Sequence, residues 1–216
     1  MTNRIFVTAN QRFGSLKYAP LRMGGTEDEA KALVEPMNRL LIKRWNEVVS
    51  PTDVVYHLGD FACLTRFSDI RKLLKQLNGK ITLLNTCYDS DGEWMPYDIF
   101  TQGYGGIVFD GSRTMEVRCA PWVILPHRGR SGPWPPFPLL LTHAPMHNWW
   151  GVMEKDTGIR VLFGHTEGIE EAEPGRAISV GVERWSGYPV PLETLVKCLC
   201  EWISGGNGEP FPWKEE

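Results

Sequence analysis

The stretch Asp53-Val54-Val55-Tyr56-His57-Leu58-Gly59-Asp60 decides how this chain is read. Val54, Val55 and Tyr56 favour an extended, pleated backbone, and Gly59-Asp60 ends the run in a sharp turn. A strand that stops at Gly-Asp places a carboxylate at the carboxyl edge of a sheet, where open α/β sheets bind their ligands. Downstream, residues 68–77 read as a helix with Ile70, Leu73, Leu74 and Leu77 on one face and Gly79 as its stop. Residues 80–84 follow as a strand. Upstream, Ile5-Phe6-Val7-Thr8 is a first buried strand that breaks at Asn10 and Gly14. Thr26-Glu27-Asp28-Glu29 is a capping-box signature. Met37, Leu40, Leu41, Trp45 and Val48 then recur at helical spacing, and Pro36 is expected to begin a new helix or kink the first. Strand, helix and strand in alternation predict an α/β layered fold.

The second half is strand-rich. Residues 106–109, 113–117, 122–125, 139–142, 161–163 and 177–182 are strand-like, and residues 191–203 read as a last helix. Between 121 and 138 the chain carries His127-Arg128-Gly129-Arg130-Ser131-Gly132-Pro133-Trp134-Pro135-Pro136-Phe137, too rich in Pro and Gly for helix or central strand, and so a long surface loop. One domain is expected over residues 1–203, with a loose tail over 204–216.

Composition narrows the function classes. The chain has 216 residues, 42% hydrophobic and 23% charged, enough for a packed core. Its 23 Lys and Arg against 26 Asp and Glu give a net charge of −3, so nucleic acid is not indicated as a partner. No apolar run reaches the roughly 20 residues that span a bilayer, and the N-terminus turns polar too soon for a signal peptide. Five cysteines at irregular spacing predict a reducing, cytoplasmic setting rather than a disulfide framework.

The chemistry-bearing residues gather at strand ends: Asn10, Gln11 and Arg12, then Asp60, then Asn85, Thr86, Cys87 and Tyr88, then His143, then His165 and Glu167. One Asp, two His and one Glu are the ligand types of a Zn, Mn or Fe site. His57, in mid-strand, reads as structural. His127 and His147 read as solvated, and Cys87 has no adjacent base that would make it a nucleophile. Cys198 and Cys200 lie on different faces of a helix and form no metal pair.

In this order the motifs resemble the calcineurin-like metallophosphoesterase family, especially its small bacterial and phage members. The resemblance runs from about residue 5 to 190. It rests on Val55-Tyr56-His57-Leu58-Gly59-Asp60-Phe61, on Leu141-Thr142-His143-Ala144-Pro145-Met146 with Trp149, and on Gly164-His165-Thr166. The segment around Met37-Asn38 and Arg44-Trp45-Asn46 adds to it. It implies a two-sheet β-sandwich flanked by helices, in four layers α/β/β/α, with a dinuclear metal site. Here the chain departs from the family: Asn10 and Arg12 stand at the positions of an Asp and a His. Asn85-Thr86-Cys87-Tyr88 replaces an Asn-His pair, and Glu167 replaces a His. For the first ion only Asp60 and Glu167 remain. A guanidinium at residue 12 would repel that ion and attract both acids, so an ion pair of Arg12 with Asp60 and Glu167 is expected to fill its place. The second ion would keep Asp60, His143 and His165, with Asn85 or Thr86 beside them.

The resemblance therefore implies a degenerate member, a pseudophosphatase acting as a binding or inhibitory module toward another macromolecule, as a phage or bacterial accessory protein would. The alternative is a divergent phosphodiesterase with a single Mn or Zn ion on Asp60, His143 and His165. Asp60 and His143 are then the candidate catalytic residues. The cofactor is accordingly none or one divalent ion. A protein partner is expected at the 121–138 loop, through Arg128, Arg130, Trp134 and Phe137, and at the strand-end rim. A third reading has Arg12 gripping a nucleotide or phosphate without metal. Asp89, Asp91 and Glu167 are the residues that could compensate for lost ligands.

Overall fold

A computed structural model describes residues 3–64, 66–84, 115–118, 122–125, 137–143, 158–165 and 176–203. In chain order the elements are β1 (Ile5–Thr8), α1 (Tyr18–Met23), a 3-10 turn (Glu27–Glu29), α2 (Ala30–Val48), β2 (Val54–His57), α3 (Phe67–Leu74) and β3 (Lys80–Leu84). There follow β4 (Met115–Arg118), β5 (Trp122–Leu125), β6 (Leu139–Thr142), β7 (Arg160–Phe163), β8 (Ala177–Ser179), β9 (Val190–Pro191) and α4 (Leu192–Ile203). The protein is a mixed α/β fold of two sheets and helices. One sheet has the order β4-β3-β2-β1-β9 and the other β5-β6-β7-β8. Strands β1 to β4 are mutually parallel, as are β6 to β8, while β9 and β5 run antiparallel to their neighbours.

Parallel strands covered on both faces read as continuous apolar runs, and β1 and β3 do so. Alternate residues then separate into two cores. Phe6, Val55, Ile81 and Leu83 pack with Met37, Leu41 and Trp45 of α2 and Ile70 and Leu73 of α3. Val7 of β1 joins Leu139, Leu141, Leu162 and Ile178 of the second sheet and Leu195 and Leu199 of α4. The second core thus holds side chains from both sheets. No helix among the described residues is long and apolar enough to cross a membrane.

Several local expectations are adjusted. Pro36 neither starts nor ends a helix: α2 is one uninterrupted element with Pro36 inside it. The missing Pro36 N–H costs one turn's hydrogen bond, and the buried stripe Met37, Leu41 and Trp45 outweighs it. The capping box at Thr26 is present, and it opens the 3-10 turn leading into α2. Helix α3 stops at Leu74, because Gln76 and Leu77 donate to the carbonyls of Leu73 and Leu74 in a tightened last turn. The strand expected over 177–182 ends at Ser179. Beyond it Val182 N–H turns to the carbonyl of Ala9, and Gly181 pairs with Ala9, joining the end of the second sheet to the end of β1. The strand expected at 106–109, the 204–216 tail and most of the 121–138 loop lie outside the described residues.

Asp53 anchors the entry to β2. Its Oδ1 accepts from the Arg4 amide at 2.9 Å, and its Oδ2 accepts from the Ser50 amide at 2.9 Å and from Arg4 Nη2 at 3.1 Å. Burial would raise this carboxyl, but the donors from Ser50 and Arg4 prevail and hold it below its ordinary value. Asp53→Ala leaves two backbone donors without an acceptor and should cost about 2–4 kcal/mol in urea unfolding. Asp53→Asn, which keeps an acceptor oxygen, should cost less.

Candidate metal centre

The site begins where β1 and β2 stop. Past Thr8 and His57 the two chains stay paired through a run of backbone bonds: Asn10 N–H to Gly59 O at 3.1 Å, Arg12 to Asp60 at 2.9 Å and Phe13 to Phe61 at 3.1 Å. To keep this pairing through a turn, Asn10, Arg12 and Asp60 take φ of 64°, 49° and 53°. Asn and Asp visit this left-handed region more readily than other side chains, whereas an arginine there is uncommon. Such strain persists only where the surroundings over-determine it.

What over-determines Arg12 is its side chain. Nε and Nη2 both donate to Asp60 Oδ2, at 3.1 and 2.8 Å, and the guanidinium lies 3.9 Å over the Tyr18 ring. Both charged side chains are 1% exposed. Glu167, the other acid expected to pair with Arg12, lies outside the described residues.

Asp60 Oδ1 is left over. It is buried and accepts no hydrogen bond among the described residues. His143 Nε2 stands 3.5 Å from it, and His143 Nδ1 is 2.9 Å from the carbonyl of Leu58. A carbonyl only accepts, so Nδ1 carries the hydrogen and the neutral ring turns its Nε2 lone pair toward Oδ1. Burial lowers the pKa of this ring despite the attraction of Asp60, so the neutral form is favoured. In this tautomer the Nε2 lone pair and Oδ1 face each other, an arrangement a cation between them would relieve. His165 completes the group. The ligand atoms of Asp60, His143 and His165 all lie within 4.8 Å of one another, so these three residues could hold a metal ion.

Strand register brings the two histidines together. Thr142 pairs with Phe163, so the residues just past β6 and β7 emerge side by side, and His165 N–H donates to His143 O at 2.8 Å. Gly164 permits this: a Cβ there would sit 2.7 Å from Ala9 Cβ and 3.0 Å from His143 Nδ1.

His57 has a structural environment. Gly59 N–H donates to Nδ1 at 3.2 Å, Nε2 donates to Gln11 Oε1 at 2.5 Å, and Gln11 Nε2 in turn donates to Thr8 Oγ1 at 2.8 Å. Asn10 donates through Nδ2 to Gly164 O at 2.7 Å and to Glu183 Oε2 at 3.3 Å. Phe137 is half-buried against the core, with the Arg160 guanidinium 5.5 Å from its ring. Asn85, Thr86, Cys87, Tyr88, Asp89, Asp91, Arg128, Arg130 and Trp134 lie outside the described residues. Three residues of the site were not foreseen. Glu183 follows β8 and was within reach of the strand-end rule. Tyr18 and Arg22 sit on α1, a short helix that no periodicity announces.

With this geometry in hand, comparison with known proteins adds the following. No protein-family model matches the chain. An uncharacterized protein of Methanocaldococcus jannaschii is 44% identical over 61 residues, which are 28% of this chain and 35% of that relative. The match thus spans about a third of the relative's length. A protein of unknown function from Aquifex aeolicus, known from its crystal structure, superposes with a TM-score of 0.54 at 15% identity, over 91% of this chain and 99% of that one. That likeness is one of fold alone.

Two outcomes follow from the site. Arg12→Met strands the buried Asp60 charge and should cost about 3–5 kcal/mol in denaturant unfolding, and adding Asp60→Asn should recover part of it by removing that charge. Burial, helped by the neighbouring His143, pushes the His57 ring from 6.5 down to about 3. Between those values the unfolded chain binds a proton that the folded chain refuses, so stability falls as pH falls, by about 1.4 kcal/mol per unit. His57→Gln lacks this loss, so the stability gap between wild type and variant should narrow from neutral pH toward pH ~4 in urea titrations.

Proposed function

We propose that the chain is a metallophosphoesterase-like protein, of the four-layer α/β/β/α type, that holds one divalent ion, Mn or Zn, and works by binding rather than by two-metal hydrolysis. The observation that carries this is the division of Asp60: Oδ2 is spent on Arg12, and Oδ1 faces His143, with His165 beside them. Two-metal hydrolysis needs a carboxylate shared between two ions about 3.5–4 Å apart and a nucleophile held between them. A guanidinium supplies neither. An Asp and two His with an open position suit one Mn or Zn, which when bound could polarise a phosphoryl oxygen or a partner's carboxylate.

In this reading Arg12 holds the Asp60 carboxylate in place, and Leu58 O keeps the His143 Nε2 lone pair facing inward. A macromolecular partner would be met at the strand-end rim and the 121–138 loop. The intact trio Asp60, His143 and His165 favours a second reading, a single-ion phosphodiesterase. Metal-free phosphate binding by Arg12 has less support, because that guanidinium is buried between Asp60 and Tyr18.

After equilibration with Mn²⁺ and Zn²⁺ and removal of loosely held ions, elemental analysis should find one ion per chain, lost in His143→Ala. The loaded protein should not hydrolyse a chromogenic phosphodiester. Two ions per chain would overturn the proposal. Turnover that vanishes in His143→Ala and Asp60→Ala would establish the single-ion hydrolase instead.

A further inference from the structure

We infer that Arg22 and Glu183 form a positioning clamp for the metal centre, setting the separation between Asp60 on the first sheet and His165 on the second. The inference rests on the one-ion reading of the site. In the left-handed turn after β1, the carbonyls of Asn10 and Gln11 are not taken up by the backbone pairing with residues 59–61. Arg22 collects both: Nη1 donates to Gln11 O and Nη2 to Asn10 O, each at 2.6 Å. The same Nη2 donates to Glu183 Oε1 at 2.5 Å.

Glu183 stands in the turn after β8, so the clamp reaches from α1 to the second sheet. Its other oxygen accepts from Asn10 Nδ2 at 3.3 Å, and that amide also donates to the carbonyl of Gly164, the residue before His165. One branch of the network therefore runs through the turn to Arg12 and Asp60, the other through Asn10 to His165. Room for it is built in: a Cβ on Gly181 would sit 2.8 Å from Glu183 Oε2 and 2.9 Å from Asn10 Nδ2. An ordinary surface ion pair contributes little and organises nothing. This one ties two backbone carbonyls at the strained turn and one side chain bridging the sheets. Partners of metal ligands that orient them typically govern affinity by 10–100-fold.

The test is calorimetric titration of Mn²⁺ into the full chain and into Glu183→Gln, Arg22→Met and Arg22→Lys, together with amide hydrogen exchange. Glu183→Gln and Arg22→Met should bind Mn²⁺ about 10–100-fold more weakly at unchanged stoichiometry. Arg22→Lys, which keeps the charge but cannot fork across two carbonyls, should recover part of that loss. Exchange should rise at residues 10–13 and 164–165 while β2 and β3 stay protected. Wild-type affinity in both weakened variants, or a uniform rise in exchange across the sheet, would overturn the clamp. Should the wild-type chain bind no Mn²⁺, the one-ion reading fails, and the exchange pattern alone decides the clamp: a local rise supports it and no rise overturns it.

Discussion

The buried ion pair of Arg12 and Asp60 is the constraint on which the rest of the site depends. Removing two charges from water costs several kcal/mol per ion, and their attraction repays this only with good geometry and further contacts. Both conditions are met here. Two guanidinium nitrogens share one carboxylate oxygen, and the flat cation lies over Tyr18, whose ring face attracts it. The backbone has had to yield: both residues sit in the left-handed region, and the paired bonds from Asn10 to Phe61 keep them there. An internal charge pair thus dictates a local conformation that propensity would not choose.

The two sheets meet beside this pair. Ala9, Gly164 and Gly181 are small where β1, β7 and β8 end, and each glycine lacks space for even one added carbon. Val182 N–H crosses to Ala9 O, and Asn10 Nδ2 crosses to Gly164 O. Close approach, and not loop length, sets where His143 and His165 stand relative to Asp60. A site built on strand ends in this way is held more tightly than one carried on loops.

Much of this could be read from the chain before any coordinates. Strands β1, β3, β5 and β6 are apolar runs bounded by turn residues, and that pattern needs no tertiary information. Asp60, His143 and His165 were legible for a related reason: in parallel sheets, residues just past the strands gather at one edge. Local pattern failed where tertiary contacts decide. Pro36 reads as a helix breaker, yet burial of Met37, Leu41 and Trp45 carries α2 through it. Helix α1 has six residues and a proline in its first turn, too few for a period to show. Arg22 and Glu183 are 161 positions apart, and nothing in either neighbourhood points to the other.

A guanidinium and a metal ion can both neutralise a carboxylate, but they differ in what they permit. An ion exchanges with solvent, activates bound water and leaves the turn unsupported when it is gone. Arginine stays charged under all ordinary conditions and is bonded to the chain, so the β1–β2 turn is organised whether or not metal is available. The place among Asp60, His143 and His165 could then hold an ion with little ordering left to be done on binding. What a guanidinium cannot supply is a second metal centre to hold and activate a nucleophile. In the proposed reading, a guanidinium in an ion's place therefore favours stable, preorganised binding over two-metal bond breaking.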